Sequence, residues 1–243
     1  MNHYTILMMG YNSRQWIENS VLSATNQDHD NFDVIAIDAQ TTDGTYEYLL
    51  EQEKEYDNLT VVQNETRKYQ TQNVYEGCRM AKEGSIIVTL DFDDWLPHRL
   101  VLNRLDEYYS SNVWMTYGSY IKSSTGIVKP LGKYEDDIIK ENKFRKDEWR
   151  ATHLRTFRKE LSLRIKEQDF KDDNGNWITV AGDLVFMWPM LEMSGERFVH
   201  IKEPLYVYNE GNEMSEYRTV PYLVLETDEM IRKRKPYERL ESI

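Results

Sequence analysis

A short apolar run that ends in carboxylates constrains the fold of this chain more than any other feature. Residues 86–90 are mostly apolar and mostly β-branched, and Asp91, Asp93 and Asp94 follow them. Such a run is typical of a strand buried on both faces of a parallel sheet. Ligands of open α/β sheets bind beyond the C-terminal ends of the strands. The three carboxylates are therefore predicted to lie at a ligand site.

The spacing of these carboxylates favours a divalent cation. Asp91 and Asp93 are two residues apart, so their side chains share one side of an extended chain. Carboxylate oxygens suit hard cations, and a diphosphate can complete the coordination with its own oxygens. The residues leave one alternative open, because Asp94 precedes Pro97 and can instead cap a helix that begins there.

The chain before this run alternates between strand-like and helix-like patterns. Apolar runs at residues 4–9, 32–37 and 59–62 predict strands, and apolar residues at helical spacing separate them. Units of this kind, each about 30 residues long, are typical of a parallel sheet with helices on its faces. We therefore predict an α/β fold with one doubly wound, mostly parallel sheet.

Polar residues follow three of the predicted strands. Gly10 and Tyr11 follow the first strand, Asp38 follows the second, and Asp91 and Asp93 follow the fourth. The C-terminal ends of parallel strands lie at one edge of a sheet, so these residues are expected to converge. The convergence favours a nucleotide and metal site over a solvated strand end.

The second half of the chain is predicted to be smaller and irregular. The alternation stops after residue 109, although residues 113–121 and 205–208 still have strand-like patterns. Residues 130–148 are charged and weakly periodic, which is typical of a mobile loop or lid. The basic run at residues 232–235 is predicted to be a solvated helix end, with binding of an anionic acceptor as the alternative.

Composition excludes several classes of protein. The 243 residues carry a net charge of −12, which argues against nucleic acid or an anionic membrane as the main partner. Cys78 is the single cysteine, so no internal disulfide can form. The sequence shows neither the roughly 18 apolar residues of a membrane span nor a signal-peptide core, so we expect a cytoplasmic protein.

The order and spacing of these motifs resemble those of the family 2 glycosyltransferases, which have the GT-A fold. The resemblance covers residues 4–208. It rests on a series of short motifs, in chain order Tyr11-Asn12, Asp38, Thr42-Asp43-Gly44-Thr45, Gly84-Ser85-Ile86-Ile87 leading into Asp91-Phe92-Asp93-Asp94, and Gly182-Asp183 before an apolar helix.

The resemblance implies a domain organisation and an activity. Residues 1–243 would form a single GT-A domain, with a nucleotide-sugar-binding half at 1–110, an acceptor and catalytic half at 111–208, and a tail at 209–243. The enzyme would move a hexose or pentose, with inversion, from a nucleoside diphosphate sugar to an acceptor hydroxyl. A UDP-sugar is the favoured donor, Mn²⁺ or Mg²⁺ would be the cofactor, and the acceptor would be a glycan, a lipid, a protein or a modified nucleobase.

The resemblance also assigns roles at the donor end. Gly10 and Tyr11 would line the base and ribose, and Asp91 would face the ribose. Asp38 matches the first acid of the family's usual Asp-Asp pair. The second acid of that pair is Ala39 here, which weakens the inference that the base is uracil.

Further residues are assigned to the metal and to the phosphates. Asp93 would bind the metal, and Asp94 would bind it as well or support the site. Lys68, after the third strand, is expected to approach the nucleotide. Arg155 belongs to a basic cluster with His153 and Arg158, which either contacts a diphosphate or acceptor or simply balances the acidic surface of the chain.

Asp183 matches the segment that bears the catalytic base in the family. Inverting transfer needs a carboxylate that accepts the proton of the acceptor hydroxyl as that hydroxyl attacks C1. The alternative is structural, because aspartate is also a preferred residue at the N-cap of a helix.

Two other functions remain open from the sequence. A nucleotidyltransferase has a similar sheet and paired aspartates, but usually shows a glycine-rich loop with Arg and Lys after its first strand. Residues 9–14 do not form such a loop. A non-catalytic nucleotide-sugar-binding module would bind the donor without turnover and would not need Asp183.

Overall fold

The computed structural model describes residues 2–109, 112–129, 132–214 and 216–243. Within these ranges no helix is long and apolar enough to cross a membrane. The first half alternates between strands and helices, as the sequence predicts.

The strands and helices have the following bounds. The strands are β1 His3–Gly10, β2 Phe32–Asp38, β3 Leu59–Gln63, β4 Ser85–Asp91, β5 Met115–Tyr117, β6 Tyr120–Lys122, β7 Val128–Lys129, β8 Thr156–Arg158, β9 Phe198–His200 and β10 Val207–Tyr208. The helices are α1 Ile17–Thr25, α2 Thr45–Glu55, α3 Gln70–Met80, α4 Val101–Tyr108, α5 Asp136–Lys140, α6 Lys159–Ser162, α7 Gly182–Ser194, α8 Glu216–Thr219 and α9 Pro221–Lys233.

Among the described residues, seven strands form a large sheet in the order β3-β2-β1-β4-β8-β5-β9, and β10-β6-β7 form a small one. Strands β1 to β4 are mutually parallel where they pair. β8 enters the sheet antiparallel to both β4 and β5, and β9 lies parallel to β5. The predicted α/β fold, with one mostly parallel, doubly wound sheet, is confirmed.

Both faces of the large sheet are buried. Tyr4, Ile6 and Met8 of β1 belong to a core that includes the apolar residues of α1 and α4. Leu7 and Met9 point the other way, into a second core that includes residues of α3 and α7. A strand covered on both faces has no polar side, which explains why the strand sequences are continuously apolar.

Helix α7 runs through the second core. Twelve of its residues, among them Pro189, are buried, and Asp183 is the exception. Glu192, near its C-terminal end, forms a two-pronged ion pair with Arg145 at 2.6 and 2.9 Å. Arg145 also donates to the carbonyl of Ile231 in α9, so this buried pair ties the C-terminal tail to the core.

The expectation of a mobile loop at residues 130–148 is wrong for the part that the structure describes, which begins at residue 132. This part contains α5 and a short 3₁₀ helix, and the rings of Tyr134 and Phe144 are fully buried. The two ring centroids lie 5.0 Å apart. Tyr134 precedes α5 and Phe144 begins the 3₁₀ helix, so no single helical or strand pattern includes both and the sequence did not predict their burial.

The basic run at the end of α9 follows the prediction only in part, because Lys233 and Lys235 are exposed whereas the two arginines bind backbone carbonyls. Arg232 donates to the carbonyls of Arg145 and Asp147 at 2.8 Å. Arg234 donates to two carbonyls in the segment at residues 169–171. Both guanidinium groups thus fasten the tail to the domain, rather than forming a solvated helix end or a free site for an anionic acceptor.

Close packing of α3 on the sheet depends on Gly77. A methyl group there would lie 2.5 Å from Leu7 Cδ1 and 3.0 Å from Ile37 Cδ1. Gly77→Ala should therefore lower the free energy of unfolding by about 1–3 kcal/mol, although alanine gains about 1 kcal/mol in helix propensity. Urea unfolding measures the change, with Met80→Ala at the exposed end of the same helix as the control. A stabilised Gly77→Ala protein would disprove the close contact.

Candidate active site

A cavity of about 270 Å³ opens where β1 and β4 end. Its walls come from these strand ends, from the segments before α3 and β8, from the start of α7, and from residues that follow β10. The cavity is rich in carboxylates. Its charged side chains and its histidine are Arg67, Lys68, Asp91, Asp93, Asp94, His153, Arg155, Asp183 and Glu216.

The carboxylates of Asp91, Asp93 and Asp94, here called the β4 carboxylates, are positioned by the pairing of β4 with β1. Met9 of β1 is opposite Asp91 in the sheet, and the ring of Phe92 is fully buried. A methyl group on Gly10 would overlap that ring. With Phe92 directed into the core, Asp91 and Asp93 both face the cavity, as their spacing predicts.

The electrostatics of the β4 carboxylates favour a cation. Burial raises the pKa of all three groups, and their mutual repulsion adds to the effect at Asp91 and Asp94. The pKa of Asp91 rises to about 7, although Arg155 opposes the shift. Asp91, Asp94 and His153 each offer one possible ligand atom, and these three atoms lie within 4.8 Å of one another. Carboxylates this crowded fit a divalent cation, whose charge would replace their protons.

Asp94 is held by hydrogen bonds to the chain around β10. Its two oxygens accept hydrogen bonds from the Tyr206 hydroxyl at 2.6 Å and the Asn209 N–H at 2.7 Å, and the residue is 1% exposed. The alternative that it caps the next helix is wrong, because α4 begins only at Val101. Asp94 instead fixes the chain around β10 against the end of β4.

Asp93 has one engaged oxygen. Asn212 Nδ2 donates to Asp93 Oδ2 at 2.7 Å. Asn212 Oδ1 in turn accepts from the N–H of Met214 at 2.8 Å. Among the described side chains none donates to Asp93 Oδ1, so this oxygen remains available to a ligand of the cavity.

Arg155 reaches the cavity because β8 runs antiparallel to β4. Its position just before β8 places it beside the end of β4, where Thr89 N–H donates to its carbonyl. The Arg155 guanidinium donates to Asp183 Oδ2 at 2.6 Å and to the carbonyl of Ala151 at 3.1 Å. The side chains of Arg155 and Asp183 are 5% and 17% exposed, so water screens this ion pair only weakly.

The start of α7 fixes the position of Asp183. Ala181 occupies the N-cap position with a left-handed φ of 50°, and Asp183 lies in the first turn rather than at the cap. A methyl group on Gly182 would lie 2.7 Å from Gln70 Oε1 and 3.2 Å from Thr71 Cγ2. Glycine at this position therefore allows α7 to begin directly against α3.

Glu216 closes the cavity beside Asp183. Its Oε2 accepts the N–H of Ala181 at 2.9 Å. Burial raises the pKa of Glu216 to about 7, and the nearby Asp183 and Asp91 add to this. Glu216 follows an aperiodic segment with no motif around it, so the sequence does not predict its place in the site.

His153 is stacked on the ring of Tyr206, with the centroids 4.3 Å apart and the planes at 17°. Arg155 Nη1 lies 3.3 Å from His153 Nδ1. A guanidinium can only donate, so Nδ1 accepts and the ring proton is assigned to Nε2. Burial, together with Arg155, holds the pKa of His153 well below its usual value, so the imidazole is neutral.

Cations and an aromatic ring also line the cavity. Gly10, Tyr11, Arg67 and Lys68 all line it. The guanidinium carbon of Arg67 lies 3.1 Å from the centroid of the Tyr11 ring, a cation–π contact that fixes the ring. Lys68 Nζ donates to Glu76 Oε2 at 2.6 Å, so its ammonium group is oriented before any ligand binds.

The structure does not bring Asp38 into the cavity. The residue is fully buried, and its carboxylate accepts from the N–H groups of Gln40 and Thr41 and from Gln63 Nε2, each at 3.1 Å. These three donors come from β3 and from the loop after β2. The carboxylate thus stabilises that loop from inside and does not line the cavity.

The remaining predicted site residues do converge on the one cavity, as the strand ends suggested. Three lining residues, Gln70, Asn212 and Glu216, were not predicted from the sequence. His153 was predicted only as a member of the basic cluster that includes Arg155.

Comparisons with known proteins give a family and a fold. The family model described as glycosyl transferase family 2 matches residues 5–166. No curated protein sequence matches the chain.

Two groups of solved structures share the fold. S. aureus TarS 1–349 in complex with UDP-GlcNAc has a TM-score of 0.65 and 16% identity, with 86% of this chain and 59% of that chain covered. The mannosyltransferase PcManGT from Pyrobaculum calidifontis, in complex with GDP-Man and Mn²⁺, has a TM-score of 0.64 and 19% identity, with coverages of 98% and 66%. This chain therefore spans less than two thirds of the length of either protein, and identities this low show the fold alone.

The raised pKa of Glu216 makes stability depend on pH. The folded state holds the Glu216 proton more tightly than the unfolded chain, where the pKa is near 4.5. The group's contribution is fully present below that value and is lost as pH rises through about 7. Glu216→Gln keeps an acceptor for the Ala181 N–H and cannot ionise, so its melting temperature relative to the wild type should rise between about pH 5 and about pH 8.

The measurement is a thermal melt in buffers without divalent cations. Glu213→Gln, which changes an exposed carboxylate nearby, is the matched control and should show no such trend. A pH-independent difference between Glu216→Gln and the wild type would mean that Glu216 is not in a desolvated environment.

Proposed function

Because this chain belongs to glycosyl transferase family 2, we propose that it transfers a sugar from a nucleoside diphosphate sugar to an acceptor hydroxyl. One observation carries the proposal, namely that the β4 carboxylates and Asp183 line the same cavity. The ligands of the structural relatives, UDP-GlcNAc in TarS and GDP-Man in the mannosyltransferase, support a nucleotide-sugar donor.

We assign the donor to the half of the cavity built by residues 1–110. The nucleoside would lie along Gly10 and Tyr11, where the Tyr11 ring offers a flat surface. Lys68 and Arg67 would balance the negative charge of the diphosphate. Asp91 would face the ribose from the end of β4.

Mn²⁺ or Mg²⁺ fits the donor set of the β4 carboxylates. Asp93 would hold the cation through its available Oδ1, with Asp94 supporting the site through its bonds to Tyr206 and Asn209. When bound, the cation would act as a Lewis acid that offsets the negative charge developing on the leaving diphosphate. The Mn²⁺ in the mannosyltransferase complex supports this choice of ion.

Asp183 is the proposed base. The acceptor hydroxyl attacks C1 of the sugar from the face opposite the diphosphate, so the product has the inverted configuration, and the hydroxyl proton passes to Asp183. Arg155 holds Asp183 Oδ2 and the N–H of Leu184 holds Oδ1. Each carboxylate oxygen has two lone-pair sites, so these contacts orient the group and still leave a site for the proton.

The acceptor would then bind in the half built by residues 111–208. This side of the cavity is enclosed by the start of α7, by the segment before β8 and by the residues after β10. The tail at residues 209–243 contributes Asn212 and Glu216 to it. The proposed single domain therefore has its reacting centre between the end of β4 and the start of α7.

Nucleotide binding should require a divalent cation through Asp93. Thermal shifts with UDP, GDP and their sugar derivatives, each with Mn²⁺ and with chelator, identify the donor. A ligand present at about 100 times its dissociation constant should stabilise the protein by about 2.7 kcal/mol. Asp93→Asn keeps the acceptor for Asn212 but loses a charged ligand, so it should abolish most of the effect of Mn²⁺.

Asp28→Asn is the control for the Asp93 substitution, because Asp28 forms an exposed ion pair with Arg99. Equal nucleotide affinities with Mn²⁺ and with chelator in the wild type would rule out the metal role.

Asp183→Asn should lower turnover by the factor of about 10² to 10⁴ that is typical of general-base loss. Asparagine retains an oxygen for Arg155, so donor binding and melting temperature should change little. Release of nucleoside diphosphate from the donor measures the rate, and NMR of the sugar product gives its anomeric configuration.

Asp228→Asn, which disrupts an Arg–Asp pair outside the cavity, should leave the rate unchanged. A retained anomer, or an active Asp183→Asn enzyme, would exclude Asp183 as the base of an inverting reaction.

A further inference from the structure

The segment at residues 209–214 follows β10 and is bound to the β4 carboxylates at two points. The N–H of Asn209 donates to Asp94, and the side-chain amide of Asn212 donates to Asp93. Asn212 lies 119 residues from Asp93 along the chain. The segment is therefore attached to the carboxylates that the cation would need.

The orientation of the Asn212 amide is fixed by its own partners. Nδ2 donates to Asp93 Oδ2 at 2.7 Å, and Oδ1 accepts from the N–H of Met214 at 2.8 Å. A flipped amide would face a carboxylate oxygen with its own oxygen and would lose both hydrogen bonds. The amide can therefore act on Asp93 in one way only, as a donor.

This contact distinguishes the two oxygens of Asp93. A carboxylate turns readily about its last side-chain bond, and a donor on Oδ2 limits that rotation. Oδ1, which has no side-chain donor among the described residues, is left as the oxygen for a cation.

We propose that Asn212 is a positioning residue, which orients Asp93 for a divalent cation and couples the 209–214 segment to cation-dependent nucleotide binding. The inference rests on the proposed function, because it takes Asp93 as a ligand of the cation that accompanies the nucleotide. Hydrogen bonds to metal ligands from such outer partners typically contribute about 10- to 100-fold to metal affinity.

The segment is also linked to the acceptor side. Glu216, just beyond it, accepts the N–H of Ala181 at the start of α7. Cation binding at Asp93 should therefore restrict the motion of residues 209–214, which precede Glu216 and its contact with the start of α7. Amide hydrogen exchange in residues 209–214 should slow when nucleotide and Mn²⁺ bind together, and should slow less with nucleotide alone.

The decisive variant is Asn212→Ala, tested with UDP and GDP as probes. Calorimetry gives each nucleotide's affinity in Mn²⁺ and in chelator, and the ratio of the two affinities is the readout. The variant should reduce the affinity in Mn²⁺ by about 10- to 100-fold and leave the affinity in chelator unchanged. Glu213→Ala, at an exposed neighbour that does not line the cavity, should leave both affinities unchanged.

Other outcomes would overturn the inference in different ways. An equal loss of affinity in Mn²⁺ and in chelator would give Asn212 a structural role alone, and full retention in Mn²⁺ would give it none. A wild-type protein that binds neither nucleotide more tightly in Mn²⁺ would overturn the proposed cation site and this inference together. Melting temperatures and hydrogen exchange of the free variants separate a local effect from a loss of folding.

Discussion

Three carboxylates lie within four residues at the end of one buried strand. The rest of the site must provide partners for their negative charge. Burial raises the pKa of each, and repulsion adds to the effect at Asp91 and Asp94, so the ionised forms are costly without partners. The protein supplies such partners from distant parts of the chain, with Tyr206 and Asn209 on Asp94, Asn212 on Asp93 and Arg155 near Asp91. The chain around β10 and the residues before β8 are arranged around this cluster. The residual negative charge is what a divalent cation would neutralise.

The antiparallel entry of β8 is the second feature on which the site depends. A parallel strand in this position would carry the residue before it to the far edge of the sheet, away from the ligand side. Because β8 runs against β4, the residue that precedes it lies at the end of β4, and Arg155 reaches Asp183 across the cavity. Arg155 thus connects β4, through its backbone carbonyl, with the helix that carries the candidate base, through its guanidinium.

The C-terminal region is part of the architecture rather than an appendage. Arg145, which is paired with Glu192 in the core, donates to the carbonyl of Ile231 in α9. Arg232 in α9 donates in turn to the carbonyls of Arg145 and Asp147. Partners of a buried ion pair cannot separate without leaving a charge unpaired in the core. This arrangement fixes the end of the chain on α7, whose other end bears Asp183.

The sequence by itself determined the first half of the fold and the placement of the β4 carboxylates. Apolar periodicity and turn residues are local signals, and in a parallel sheet the strand ends must share an edge, so Gly10, Tyr11 and Asp91 could be placed together before the structure was known. It was only the tertiary structure that decided which polar groups reach the ligand. Asp38 has the same strand-end signal, yet its carboxylate already accepts hydrogen bonds from neighbouring N–H groups. Asn212 and Glu216 have no local signal, because hydrogen bonds between residues 119 and 35 positions apart leave no periodic pattern in the sequence.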